Sequence, residues 1–285
     1  MRTSRQPRSR LPAAAVVAAV TALSAAPAAA ADAHYDRAFM LAADARCGLF
    51  APPVRAALTS ATLQARGAQL RGGATAVQAA ETARRARARA ASTPCDHPEL
   101  RMVAGRVDQA FAGWLGLRRM EFPGLSAAWS VDRARFEAPR WRLSQTGVTG
   151  ASSVVVGRVW GQTGLTVAVS FVGKPRPTSA RIVMRDPGRF PNPWIGSRPT
   201  LAPEAQRRAV WAGATAPADK ALFAGGRRGG EIWAFSERAV AELAALDPRE
   251  AFAVEFVFRD GSVARAAFEV GDLAAAEAFL TLGAV

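Results

Sequence analysis

The sequence predicts an α+β fold: a small N-terminal helical bundle, then an antiparallel β-sheet domain with a C-terminal helix. Three observations predict it. Apolar residues recur at helical spacing up to about residue 120. From about Trp141 they recur at every second position instead. Two pairs of alternating runs also flank glycine turns, Gly161-Gln162-Thr163-Gly164 and Arg259-Asp260-Gly261-Ser262, which is a hairpin signature.

The first element is a leader. Arg2, Arg5, Arg8 and Arg10 precede an apolar run over residues 11–26, followed by Pro27 and four alanines. Positive start, apolar middle and small-residue end are the layout of a secretory signal peptide covering residues 1–31. The apolar middle is shorter than the roughly 20 residues a bilayer span requires. Cleavage is expected after Ala31 or after Ala30, releasing a mature chain into a periplasm or the medium. No later stretch has the length of a membrane span, so none is expected after cleavage.

Residues 32–120 read as four helices. The first spans about 33–46, places Tyr35 and Phe39 on one face, and breaks at Gly48. Pro52-Pro53 opens the second, and Gly72-Gly73 stops it. The third is alanine-rich, over about 74–91. The fourth opens at Asp96-x-x-Glu99, a capping-box pattern with Pro98 in the first turn. Its Leu100, Val103, Val107, Ala110, Phe111 and Trp114 form one apolar stripe.

Cys47 and Cys95 are the only cysteines. An even count in an exported chain predicts a disulfide. The bridge closes a loop of about 48 residues, worth roughly 4 kcal/mol in the chain-entropy model. Their wide spacing fits neither a Cys-x-x-Cys redox pair nor a clustered metal site.

Residues 121–285 read as the β-rich domain. Leu165, Val167, Val169 and Phe171 share one strand face, and Phe252, Val254, Phe256 and Phe258 another. Ser236 and Asp272 are placed to start two short helices. Residues 186–230, rich in proline and glycine, carry little periodic signal.

The formal net charge is +14. Removal of the leader takes away four arginines and no acid, which leaves +10. Of the 37 basic residues 35 are arginine. Arg84, Arg85, Arg87 and Arg89 cluster on the third helix, and Arg118-Arg119 follows the fourth. Arginine matches phosphate and carboxylate oxygens in a two-pronged fashion that lysine does not. In an exported chain such residues point to anionic lipid, lipopolysaccharide phosphates or an envelope protein, not to nucleic acid.

Catalytic constellations are scarce. There are two histidines, His34 and His97, and no Gly-x-Ser-x-Gly elbow, Walker loop or His-Glu-x-x-His motif. No cofactor motif is present. The sequence reading is therefore a non-enzymatic envelope binding protein. The alternative is a hydrolase using paired carboxylates drawn from Glu231, Glu237, Asp247 and Glu250. Cleavage after Ala31 exposes Asp32-Ala33-His34, whose amine, two amides and imidazole suit square-planar Cu(II) or Ni(II). Gly225-Gly226-Arg227-Arg228-Gly229-Gly230 reads as a flexible turn, and Phe190-Pro191-Asn192-Pro193-Trp194 as a loop whose tryptophan plugs a core edge.

Overall fold

The computed structural model describes residues 27–173, 175–223 and 229–285. Most of the expected leader and most of the glycine–arginine turn lie outside the described residues.

Four helices come first: α1 (Pro27–Cys47), α2 (Pro52–Arg71), α3 (Ala76–Ser92) and α4 (Pro98–Leu115). α1 starts earlier than the spacing suggests, so residues 27–31 at the end of the expected leader belong to its first turns. α3 is opened by a capping box that the sequence reading does not contain. Thr75 Oγ1 accepts from the Gln78 N–H, and Gln78 Oε1 accepts from the Thr75 N–H. The box expected at Asp96 and Glu99 does not form. His97 is the N-cap residue and makes no side-chain cap bond; Pro98 takes the first helical position, where its missing N–H leaves nothing unpaired.

α1 lies against α2 and α3, and α4 packs chiefly on α2. Ala57, Leu58 and Ala61 of α2 are fully buried beside Met40, Phe50 and Phe111. A buried polar relay ties three helices together. His34 Nδ1 meets Gln69 Oε1 at 2.7 Å, and Gln69 Nε2 donates to Thr82 Oγ1 at 3.2 Å. Thr82 in turn donates to the Gln78 carbonyl. Cys47 and Cys95 are joined, their Cα atoms 5.5 Å apart, so the end of α1 is tied to the approach of α4.

Strands follow: β1 (Arg119–Pro123), β2 (Ala128–Asp132), β3 (Trp141–Thr149), β4 (Ser152–Val159), β5 (Leu165–Val169) and β6 (Ser179–Arg185). Then come β7 (Arg207–Trp211), β8 (Ala214–Ala218), β9 (Gly230–Phe235), α5 (Glu237–Ala244), β10 (Ala251–Val257), β11 (Val263–Glu269) and α6 (Leu273–Leu280). They form two wholly antiparallel sheets, ordered β1-β2-β3-β4-β5-β9-β8 and β11-β10-β6-β7. The two expected hairpins are β4–β5 and β10–β11, the second turning through Gly261 at φ 79°.

The inner faces of both sheets share one core. Trp129, Leu143, Val156 and Val167 meet Ile182, Phe252 and Phe256, with α5 and α6 packed into the same cluster. One corner is closed by Gln145 of β3. Its carboxamide donates to the Glu269 carbonyl at 3.1 Å and accepts from the Glu269 N–H at 2.8 Å. The side chain thus imitates a strand partner for β11.

α6 joins the helical and β-rich parts. Ser60 Oγ of α2 donates to the Ala275 carbonyl at 2.8 Å in a buried contact. Arg71, at the end of α2, pairs with Asp272, the N-cap residue of α6. Asp272 makes no side-chain cap bond of its own, so the carboxylate expected to start the helix is spent on its neighbour instead. Gly67 lets α2 come this close: a Cβ there would stand 1.8 Å from Asp272 Oδ1. At the other end of α6, the buried Arg133 guanidinium donates to five carbonyls, those of Trp114, Leu115, Leu117, Leu282 and Gly283. It also sits 5.0 Å from the Phe279 ring centroid. Both helix C-termini are thereby capped by a single cation.

Candidate functional site

The apolar stripe of α4 is only partly used in the core. Leu100 and Phe111 are buried, whereas Val103 and Val107 are half-buried and Ala110 is exposed. The reason is geometric: α4 rests on α2, and a gap remains between it and α1 and α3. That gap is a cavity of about 590 Å³. Its apolar wall is Phe39 and Met40 of α1, Leu58 of α2, and Val103, Val107 and Phe111 of α4. A second cavity of about 300 Å³ adjoins it, sharing Phe39, Arg89 and Val103 and reaching His97 and Glu99 at the start of α4.

Polar groups are few: Tyr35, Asp36 and Arg37 of α1, and Arg89 of α3. Arg37 Nη1 donates to the Ala61 carbonyl at 2.8 Å. Among the described residues no carboxylate forms an ion pair with Arg37, and Asp36 acts on it only through space. Burial lowers the affinity of this guanidinium for its proton, and Asp36 works against that. Arg89 is exposed, and among the described residues it too has no carboxylate partner. The cavity therefore presents a long apolar wall and two cations with spare donors.

The structure separates the six arginines singled out by sequence. Arg84 is paired with Glu81 through two contacts of 2.8 and 2.7 Å. Arg118 and Arg119 both hold Asp132, at 3.3 and 2.7 Å. Arg85 and Arg87 are exposed on α3. Arg85 lies one turn from Arg89 on the same side of the helix, and Arg89 alone of the six lines the cavity. Arg37 is the residue that sequence spacing does not reveal. A half-buried arginine and a solvated one occupy a helix with the same periodicity, and only the gap beside α4 distinguishes them.

The terminal trio has a different setting. Asp32, Ala33 and His34 lie within α1, and His34 is buried. Burial pushes its imidazole below the usual value, partly offset by Gln69, and Arg66 adds to the lowering. A square-planar site on these residues needs α1 opened as far as His34, because the ring nitrogen and the helical amides are engaged in the fold. Among the described residues no three His, Cys, Asp or Glu side chains gather as a metal site.

The four carboxylates considered for hydrolysis are each held by an arginine. Glu231 meets Arg176 at 3.0 Å, Asp247 meets Arg249 at 2.9 Å, and Glu250 meets Arg185 at 2.8 Å. Arg158 grips Glu237, and with the Gly164 N–H it holds that carboxyl far down, at about 2. Glu250 also accepts from the Trp194 N–H, so the Phe190–Trp194 loop is anchored on a buried ion pair. Trp194 itself stays 40% exposed.

The chain matches no family model, and neither the curated proteins nor the solved structures include a match to it.

Proposed function

We propose that this is an exported, non-enzymatic binding protein of the cell envelope whose partner is anionic. One observation carries the reading. An apolar groove in the helical part is bordered by Arg37 and Arg89, two cations that form no ion pair with a carboxylate among the described residues. A desolvated guanidinium with unused donors gains from a carboxylate or phosphate that supplies both charge and acceptors. Export is supported by the leader-like residues 1–31 and by the Cys47–Cys95 pairing, which suits an oxidising compartment.

Two measurements test this. Cell fractionation with N-terminal sequencing should find the chain outside the cytoplasm and beginning at Ala31 or Asp32. Sedimentation with vesicles should show binding to phosphatidylglycerol and little to phosphatidylcholine, and Arg85→Glu with Arg89→Glu should abolish it. Equal sedimentation with both lipids contradicts the anionic preference.

A further inference from the structure

We propose that the groove between α1 and α4 holds the hydrocarbon tail of a single-chain anionic amphiphile, with its carboxylate or phosphate seated on Arg37 and Arg89. The inference rests on the anion-binding reading above and narrows it to one ligand class.

Four observations support the assignment. First, the wall is apolar along its length, from Phe39 and Met40 across Leu58 to Val103, Val107 and Phe111. A polyanion or a free inorganic ion has no use for such a wall, whereas an alkyl chain gains by covering it. Second, two cations line the same cavity as that wall, Arg37 on α1 and Arg89 on α3. The cavity thus offers contacts for both halves of an amphiphile. Third, the volume of about 590 Å³ lies within the roughly 300–1,000 Å³ of small-molecule sites, which suits one chain and not the many tails of a lipopolysaccharide. Fourth, Asp36 lines the cavity together with the two arginines. Two cations and one acid leave a single positive charge, matched to a monoanionic headgroup.

The position of α4 explains how a tail enters. α4 is tied at its start through Cys95 and at its end through Arg133, and between those points it rests chiefly on α2. The half-buried Val103 and Val107 face the gap that remains.

The test is a calorimetric titration of the purified chain with four probes, each below its micelle concentration: dodecanoate, hexanoate, dodecyltrimethylammonium and dodecyl maltoside. Dodecanoate should bind one to one. Hexanoate, shorter by six methylenes, should bind at least about a hundredfold more weakly. The cationic and neutral dodecyl probes should each bind at least about tenfold more weakly than dodecanoate. Arg89→Glu, a change at an exposed position, should weaken dodecanoate at least about tenfold while leaving the circular dichroism unchanged. Val107→Trp, which fills the groove, should remove dodecanoate binding and leave phosphatidylglycerol-vesicle binding in place.

Equal affinity for hexanoate and dodecanoate overturns the tail assignment and leaves the anionic reading standing. Equal affinity for all three dodecyl probes, unaltered by Arg89→Glu, overturns both. Absence of dodecanoate binding overturns the amphiphile, and the phosphatidylglycerol sedimentation then decides the anionic reading separately. A dimer in gel filtration that Val107→Trp converts to monomer assigns the groove to a second copy of the chain and also overturns the proposal.

Discussion

Arg71 and Asp272 stand 201 positions apart in sequence and meet in a two-pronged pair, with Arg71 Nη2 donating to Asp272 Oδ2 at 2.9 Å. The pair fastens the last turn of α2 to the N-cap residue of α6. Burial raises the Asp272 carboxyl to about 6 from 3.8, although Arg71 and Arg66 both pull it down. Between those two values the folded chain keeps a proton that the unfolded chain has released. The slope of stability with pH is therefore negative in that window. The contribution is fully present below about pH 4 and is lost as pH climbs through about 6. Its size is on the order of 3 kcal/mol. Asp272→Asn should remove this falling component from the urea midpoints between pH 4 and 6, whereas the buried His34, its imidazole lowered, contributes a rising component in both chains. Parallel profiles for the two chains would refute the linkage.

Gly67→Ala should destabilise the protein despite the better helix propensity of alanine. The propensity gain is about 1 kcal/mol. Against it, the new Cβ would stand 1.8 Å from Asp272 Oδ1 and 3.0 Å from Arg71 Nη1. Relieving that overlap pushes α2 off α6 and loosens the ion pair, a change of roughly 1–3 kcal/mol for overpacking alone, plus the weakened pair. The net expectation is a lower thermal midpoint. An unchanged or higher midpoint would show that the interface can shift without penalty.

Arg133→Met should be among the most damaging single changes. Five carbonyls lose the buried guanidinium together, three of them on the half-buried residues Trp114, Leu115 and Leu282. A loss of about 3 kcal/mol or more is expected. Arg133→Lys should recover little of it, because an ammonium cannot span two helix ends with a planar fork. Chemical denaturation of the three chains provides the comparison.

Removal of the disulfide by Cys47→Ser with Cys95→Ser should lower stability by roughly 4 kcal/mol on the chain-entropy account of its 48-residue loop. The same change frees the approach to α4. Limited proteolysis should then cut the 93–97 connection faster than in the wild-type chain. Two titratable thiols in denatured, unreduced wild-type protein would contradict the pairing.

Much of this fold was legible in the sequence, and the gaps have physical reasons. Pro52, Gly72, Pro98 and Gly261 mark boundaries because each acts through local backbone chemistry. The four helices and the hairpins β4–β5 and β10–β11 are read from local periodicity in the same way. β1, β2, β7 and β8 carry no such signal: unlike the equally short but wholly apolar-faced β5, they lack a run of alternating apolar residues and are identified by their partners. β8 even contains Pro217, which an edge strand tolerates. The site was less legible. Arg89 stands in a cluster visible in sequence, but its separation from the neutralised Arg84, Arg118 and Arg119 depends on where Glu81 and Asp132 fall in space. Arg37 carries no sequence signal at all. Asp272 is recognised as a helix start, while its attachment to Arg71 is a property of the packed molecule.

The two ends of α6 are held by groups of different chemistry. Its N-terminus meets a carboxyl that exchanges its proton near pH 6. Its C-terminus meets Arg133, whose ligands are neutral carbonyls and an aromatic ring. A guanidinium held that way keeps its charge throughout neutral and acidic conditions. α6 is therefore fastened by a titratable group at its start and by one that acidity does not reach at its end. Changes in pH slacken or tighten the join at Asp272, while Arg133 holds the other end of α6 unchanged.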